Sequence, residues 1–510
     1  MTMSQSLTYE PLPAIWPERE GFRAGYASLR SAGQMAARGE SNRKGVKGMP
    51  EQLRGLILFL LAFLHVPVSG ANASSFYVSG ANGNDSWSGL LPAPNSAHTD
   101  GPFQTLTRAQ SALRGSSTIK TATLRAGTYS IAGTGFAWTS SDSGETWIPY
   151  VGESVILDGG GTGYLTAERA TNLTIEGLTF QNMAGGSGRS GDLLIGGGSG
   201  YTIRWNTFLS CQGYCLLAHA IQSSLIDSNT FNRQSPGTIP GTRLPYKVIS
   251  LVCGSGNRVS HNLIENAEGG GILIGADGSC FSSMSNNVMD RNILKNVNTN
   301  DHDMGALYAW DKYGQMSGLQ ITNNEILGEG NDAIKGIYLD QAITGAVVTG
   351  NICNGCGSFA VALNGGANNI VKNNIFDLSS SPTQGTQLGF YVNQGVTSLH
   401  MSGNIFSNNI VYSEATFPSA FWGQCCRGNG PQEALNINTN LYCSVNKSSV
   451  PSRPPIVDAN PKVCCPGFAD PANNKYDIPS NSCAFNLIHW QPLPTDQGPL
   501  PNPFAAATVP

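Results

Sequence analysis

From residue 171 onward the chain repeats one pattern: an apolar residue, two variable positions, an Asn, one variable position and a second apolar residue. It reads Ile203-Arg-Trp-Asn206-Thr-Phe208, Ile226-Asp-Ser-Asn229-Thr-Phe231 and Val259-Ser-His-Asn262-Leu-Ile264. Copies centred on Asn292, Asn324, Asn351, Asn374 and Asn404 follow, and Leu173–Phe180 is an earlier turn without the Asn. The Asn-to-Asn step varies from 23 to 33 residues. A fixed phrase at a variable step predicts a solenoid whose connecting loops differ in length. The units are short, β-branched or aromatic, and bounded by Gly and Asn, so they predict strands. Asn tolerates the left-handed backbone that turns a strand corner, and stacked Asn side chains can hydrogen-bond from coil to coil. One coil cannot bury its apolar face alone. Stacked coils would align Ile203, Ile226, Val259, Met289, Ile321, Val348, Val371 and Met401 in one column. The expected fold is all-β, a right-handed parallel β-helix. A leucine-rich horseshoe and a propeller are disfavoured, because neither repeat phrase occurs.

A second strand follows in most coils: Gly271–Ile274, Gly305–Tyr308, Gly336–Leu339, Val361–Leu363 and Gly389–Val392. Two-residue alternation turns Ile337 and Leu339 inward, hence Tyr338 and Asp340 outward. Stacking then sets Asp340 over Asn364 and Asn393, a polar stripe outside an apolar column. Upstream, Pro102-Phe103 to Leu113 has helical apolar spacing, with Pro near the first turn and Gly115 at the end. A helix there would plug the N-terminal end of the solenoid, which otherwise exposes core and strand edges. The segments are an upstream extension (1–48), a signal peptide (49–73), an entry and capping region (74–160), the β-helix (161–416) and a Cys- and Pro-rich C-terminal cap (417–510).

The signal peptide rests on an 11-residue apolar run, Leu56–Val66, which follows Arg54 and ends near Ala71-Asn-Ala73. A bilayer span takes about 20 residues. Met49 lies just ahead, so translation beginning there accounts for the depth of the run; a signal anchor with a short cytoplasmic tail is the alternative. All 12 Cys lie beyond residue 210, an even number that in a secreted chain predicts disulfides. Cys353-x-x-Cys356 lacks the second pair that a zinc site needs. Cys425, Cys426, Cys443, Cys464, Cys465 and Cys483 would staple the C-terminal cap. Asn84, Asn172 and Asn446 open N-glycosylation acceptor triplets. Of 510 residues 62 are Gly and 12% are charged, and the net charge is −4. Residues 1–73 hold eight Lys/Arg and five Asp/Glu, so their removal leaves −7. Nothing in that balance attracts nucleic acid or an anionic membrane.

Phe76–Gly80, Pro102–Leu106 and Leu124–Tyr129 together resemble the opening of secreted pectin-lyase-like β-helix proteins. Asp303-Met-Gly-Ala-Leu-Tyr308, Gly336-Ile-Tyr-Leu-Asp340, Leu363-Asn-Gly-Gly366 and Tyr476–Ser482 resemble phrases of their glycoside-hydrolase-type branch, xylanase- and fucosidase-like. That resemblance spans residues 76–500. It implies polysaccharide hydrolysis by two Asp, here Asp303 and Asp340.

Hydrolysis needs carboxyl groups about 5–5.5 Å apart for retention or 6.5–9.5 Å for inversion. Coils stack at about 4.8 Å, so facing carboxylates on adjacent coils meet that need. Asp303 lies 37 residues before Asp340, one coil plus six residues, and the pair works only if the chain turns a corner between them. Asp311, 29 residues before Asp340, is the rival partner and is expected beside it on the same stripe. As substrate-binding groups, His302 can orient a sugar, Tyr308, Trp310 and Tyr338 can stack on one, Lys335 can meet an acidic one, and Asn364 and Asn393 can hydrogen-bond to one. His219 emerges several coils earlier and reads as structural. No cofactor is expected for a hydrolase. A lyase or epimerase would take Ca²⁺ on Asp301, Asp303 and Asp332 with Lys335 near, although its groove should be basic and this stripe reads as acidic. A non-catalytic glycan-binding or adhesion solenoid is the third reading, with the Asp residues as turn caps. The expected partner is a polysaccharide met by an extracellular monomer, with no nucleic acid and no membrane after signal cleavage.

Overall fold

The computed structural model describes residues 75–184, 191–211, 213–232, 247–278, 280, 282–297, 304–328, 335–379, 387–391, 401–414, 421–422, 435–444 and 457–505. Short strands from successive coils build three long sheets, two of 13 strands and one of 11. Pairing within them is parallel, and each coil adds one strand per sheet. The chain is the right-handed parallel β-helix that its repeat predicts.

Sheet A carries the first apolar position of the repeat: Ile203, Ile226, Val259, Met289, Ile321, Val348 and Val371 are in register, coil upon coil. All are buried. Sheet B carries the second: Phe180, Phe208 and Phe231 stack with ring centroids 4.8 and 4.5 Å apart. Between the two sheets runs the Asn ladder, in which Oδ1 of Asn229 accepts the Asn206 N–H at 3.0 Å while its Nδ2 donates to the Ile203 carbonyl at 2.8 Å. The same contacts recur through Asn262, Asn292, Asn324, Asn351 and Asn374.

Three expectations need correcting here. The left-handed residue is the one before the ladder Asn, as at Ser228 (φ 55°), His261 (φ 50°) and Asn323 (φ 57°). The Asn contributes its amide to the ladder, not its backbone tolerance. The ladder also passes from Asn374 to Asn409 and Asn440, bypassing Asn404. Phe406, not Met401, continues the apolar column, opposite Val371. Asn404 belongs to a parallel ladder at another corner, where it accepts the Asn369 N–H, so one phrase marks two corners. Finally, the N-terminal helix, here α1, spans Leu106–Gly115, three residues later than Phe103. Phe103 is held extended against Val78, and Thr105 caps α1 by accepting the Arg108 N–H. Leu106, Ala109 and Leu113 are buried in the core, and Arg114 forks onto Asp142 at 2.7 Å.

Sheet C holds the longest strands, Gly305–Asp311 and Lys335–Gln341, seven residues each. Gly336 is the second residue of the latter, where a side chain would overlap Cys353 Sγ. Five disulfides join Cys211–Cys215, Cys253–Cys280, Cys353–Cys356, Cys443–Cys465 and Cys464–Cys483; Cys425 and Cys426 lie outside the described residues. Cys353 and Cys356 therefore pair with each other. The side chains of Asn84 and Asn172 are exposed, and Asn446 is outside the described residues, as are the extension and signal segment. Among the described residues no helix is long and apolar enough to cross a membrane.

The C-terminal tail does more than close the end. Tyr476, Ala484, Ile488 and Trp490 form a second small core on the outer face of sheet B with Ile352, Ile375, Ile410 and Leu441. The chain then runs back along the turn between sheets A and B. Gln491 exchanges hydrogen bonds with Asn373, Asp496 pairs with Arg291 at 2.8 Å, Leu500 N–H donates to Ser228, and Phe504 meets the Trp205 ring.

Candidate functional site

Sheet C alternates as its sequence dictates. Leu307, Ala309, Ile337 and Leu339 turn into the core, so Tyr308, Trp310, Tyr338 and Asp340 turn outward. Register sets Tyr308 beside Tyr338 and Trp310 beside Asp340. The two phenol rings stack at 5.2 Å between centroids, 20° from parallel. The Tyr308 hydroxyl donates to Asp340 Oδ2 at 2.7 Å. Asn364, the register partner of Asp340 on the next coil, donates from Nδ2 to Asp340 Oδ1 at 2.7 Å and lies 3.4 Å from the Tyr338 hydroxyl. Lys335 Nζ lies 4.4 Å from the centre of the Tyr338 ring, within cation–π range.

The stripe was expected to face an open groove. Instead Tyr308, Tyr338, Lys335, Asp340 and Asn364 are each 2–5% exposed, and of this set only Trp310 is half-buried. Trp310 leans over Gly275, where an added carbon would sit 3.6 Å from its ring.

Asp311 does not join Asp340. It is in register with Gln341, the alternation turns it to the opposite side of the strand, and it is fully buried. Its oxygens accept the backbone N–H groups of Tyr313 (3.1 Å), Gln315 (3.0 Å) and Met316 (2.7 Å). It is a turn cap. The position stacked on Asn364 is Tyr391 rather than Asn393: the register sets Gly389 level with Ala362 and Tyr338 rather than with Gly336, two positions from the expected match. Asn393, His302 and Asp303 lie outside the described residues, as do Asp301 and Asp332, the other two candidate Ca²⁺ ligands. Gly305 is level with Lys335 and Trp310 with Asp340, so five strand residues, about 17 Å at 3.3 Å each, separate the start of the Gly305 strand from the level of Asp340.

Sequence reasoning missed two things. The Tyr308–Asp340 contact was written in the phrases Gly305-Ala-Leu-Tyr308 and Gly336-Ile-Tyr-Leu-Asp340, which the register superposes. Lys247 is 3% exposed and its Cγ would lie 3.6 Å from a carbon added at Gly270 on the next coil. Lys247 is thus a second buried lysine, level with Gly270 of the next coil.

No family model matches the sequence, and no curated protein matches it. Among solved structures, the PL6 family alginate lyase AlyGC is similar at 12% identity with a TM-score of 0.50, over 79% of this chain and 58% of that one. The A-module of the Azotobacter vinelandii mannuronan C-5 epimerase AlgE6 is similar at 12% identity and TM-score 0.45, over 70% and 94%. The catalytic domain of a GH87 alpha-1,3-glucanase is similar at 12% identity and TM-score 0.39, over 66% and 58%. This chain thus spans little more than half the length of the alginate lyase. Likeness at this identity is a likeness of fold, and one fold carries many reactions.

Proposed function

We propose that this protein is a secreted carbohydrate-active enzyme that cleaves an extracellular polysaccharide at the outer face of sheet C, around Asp340, once the cover that leaves this cluster 2–5% exposed is displaced. The observation that carries the reading is the Tyr308–Asp340 hydrogen bond, set beside Lys335, Tyr338 and Asn364. Five disulfides among the described residues support an oxidising, extracellular setting.

Those side chains fit β-elimination of a uronate-containing chain better than hydrolysis. Hydrolysis needs a second carboxyl group near the first; among the described residues Asp311 is spent on a turn, and Asp303 lies outside them. Elimination needs a base, an acid and a cation for the uronate carboxylate. In this reading Tyr308 takes the sugar C5 proton as its own proton passes to Asp340, the electrons form the C4=C5 double bond, and the C4–O bond breaks. Tyr338 gives the leaving oxygen its proton, and the Lys335 ammonium neutralises the carboxylate.

Hydrolysis stays as the second reading, because the phrases ending in Asp340 and beginning at Asp303 resemble those of the glycoside-hydrolase branch. Purified protein incubated with uronate-rich and neutral polysaccharides separates the two. New chain ends that absorb in the ultraviolet as unsaturated uronates support elimination; new reducing ends without that absorbance support hydrolysis. No release from any glycan supports the binding-solenoid reading.

A further inference from the structure

We propose that His219, Asp277 and the two thiols released from the Cys253–Cys280 bridge form a site for one zinc-class divalent cation, which the bridge keeps closed. The winding of the chain brings these groups together. His219 ends the strand Tyr214–His219 and is in register with Val252; Cys253 follows Val252, and Val252 is in register with Gly275, two residues before Asp277. Three successive coils thus deliver an imidazole, a sulfur and a carboxylate to one corner. Cys280 returns to that corner to bond Cys253, with their Cα atoms 4.9 Å apart.

One donor atom each from His219, Cys253 and Asp277 lie within 4.8 Å of one another. Asp277 Oδ1 is 3.4 Å from Cys253 Sγ and 3.8 Å from Cys280 Sγ. Metal–ligand bonds of about 2.0–2.3 Å in a tetrahedral zinc site put neighbouring donors about 3.3–3.8 Å apart, so the carboxylate already stands at that spacing from both sulfurs. Only the sulfurs must separate.

The step balances. A dithiol reductant passes two electrons and two protons to the bridge and becomes a disulfide itself; the cation then displaces the two thiol protons to solvent. Two cysteine thiolates, one imidazole and one carboxylate suit zinc better than calcium or magnesium. The site is independent of the Asp340 reading, since His219 lies four coils earlier in the same outward column.

The test is a Co²⁺ titration of the full chain before and after reduction with a water-soluble phosphine. The expected result is one equivalent bound in the reduced protein, with thiolate charge-transfer and tetrahedral d–d absorption, and none in the oxidised protein. Both bands should vanish in His219→Ala and in Cys280→Ser but persist when Cys353 and Cys356 are both changed to Ser. Circular dichroism on each sample reports whether the fold is retained. Reduced, folded protein without the bands overturns the proposal, as do bands that survive His219→Ala or a chain that loses its fold on reduction.

Discussion

Tyr308 and Asp340 stand on neighbouring coils, 32 residues apart in sequence, with the phenol donating to the carboxylate at 2.7 Å. The bond is buried and shared with Asn364 on the coil beyond. Register alone brings the three together: parallel strands stack like positions, so a phrase repeated at the coil spacing becomes a cluster.

Asp311 separates structural from chemical acids. Asp311→Ala leaves three backbone N–H groups without their acceptor, and a buried unsatisfied group costs about 1–3 kcal/mol. We expect unfolding free energy to fall by about 3 kcal/mol or more in denaturant titration, while the activity of the remaining folded protein stays at the parent level. A selective loss of turnover at unchanged stability would return Asp311 to the chemistry.

Glu145 couples the N-terminal coil to pH. It is fully buried, accepts from Trp147 Nε1 at 3.0 Å, and burial pushes its pKa up to about 7. A carboxyl whose folded pKa lies above its unfolded one opposes folding when ionised. The cost is absent below about 4.5, grows as pH rises, and is complete above 7. Glu145→Gln keeps an acceptor for Trp147 and removes the charge. It should stabilise the protein at pH 8 by roughly 2–3 kcal/mol, with the gain fading by pH 5, as read from melting curves across that range.

In the ladder, Asn292 Oδ1 accepts the Asn262 N–H and its Nδ2 donates to the Val259 carbonyl at 2.9 Å. Asn292→Ala should therefore cost on the order of 3–5 kcal/mol. Hydrogen exchange should quicken in the coils around Val259 and Asn324 before it does elsewhere.

Removal of residues 491–510 tests the returning tail. It deletes the Asp496–Arg291 pair, the Leu500–Ser228 bond and the Phe504 ring against Trp205. We expect a lower unfolding temperature and a red-shifted tryptophan emission, with the sheets retained by far-ultraviolet circular dichroism. Unchanged emission would contradict the contact with Trp205.

The coils, the apolar columns, the outward turn of Tyr338 and Asp340 and the partnership of Asp340 with Asn364 were legible in sequence, because each follows from spacing. What spacing could not reveal depends on how a coil leaves its strand. Asp311 sits at the end of an alternating run, where the turn that follows claims its oxygens. The phrase around Asn404 matches two different corners, and only the path of the preceding loop decides which. Gly389 looks like the strand-opening Gly336 but falls level with Tyr338, so Asn393 was matched where Tyr391 falls, two positions earlier. The return of the tail joins segments far apart in sequence, which no local periodicity records.

The most direct test of the account is turnover of a responsive polysaccharide by Asp340→Asn and Tyr308→Phe, each first shown to melt within a few degrees of the parent. Loss of a proton-transfer group typically costs about 10²–10⁴-fold. A fall of at least 100-fold is expected in both variants, with Asp311→Asn near the parent rate per folded molecule. Parental turnover in either Asp340→Asn or Tyr308→Phe would contradict it.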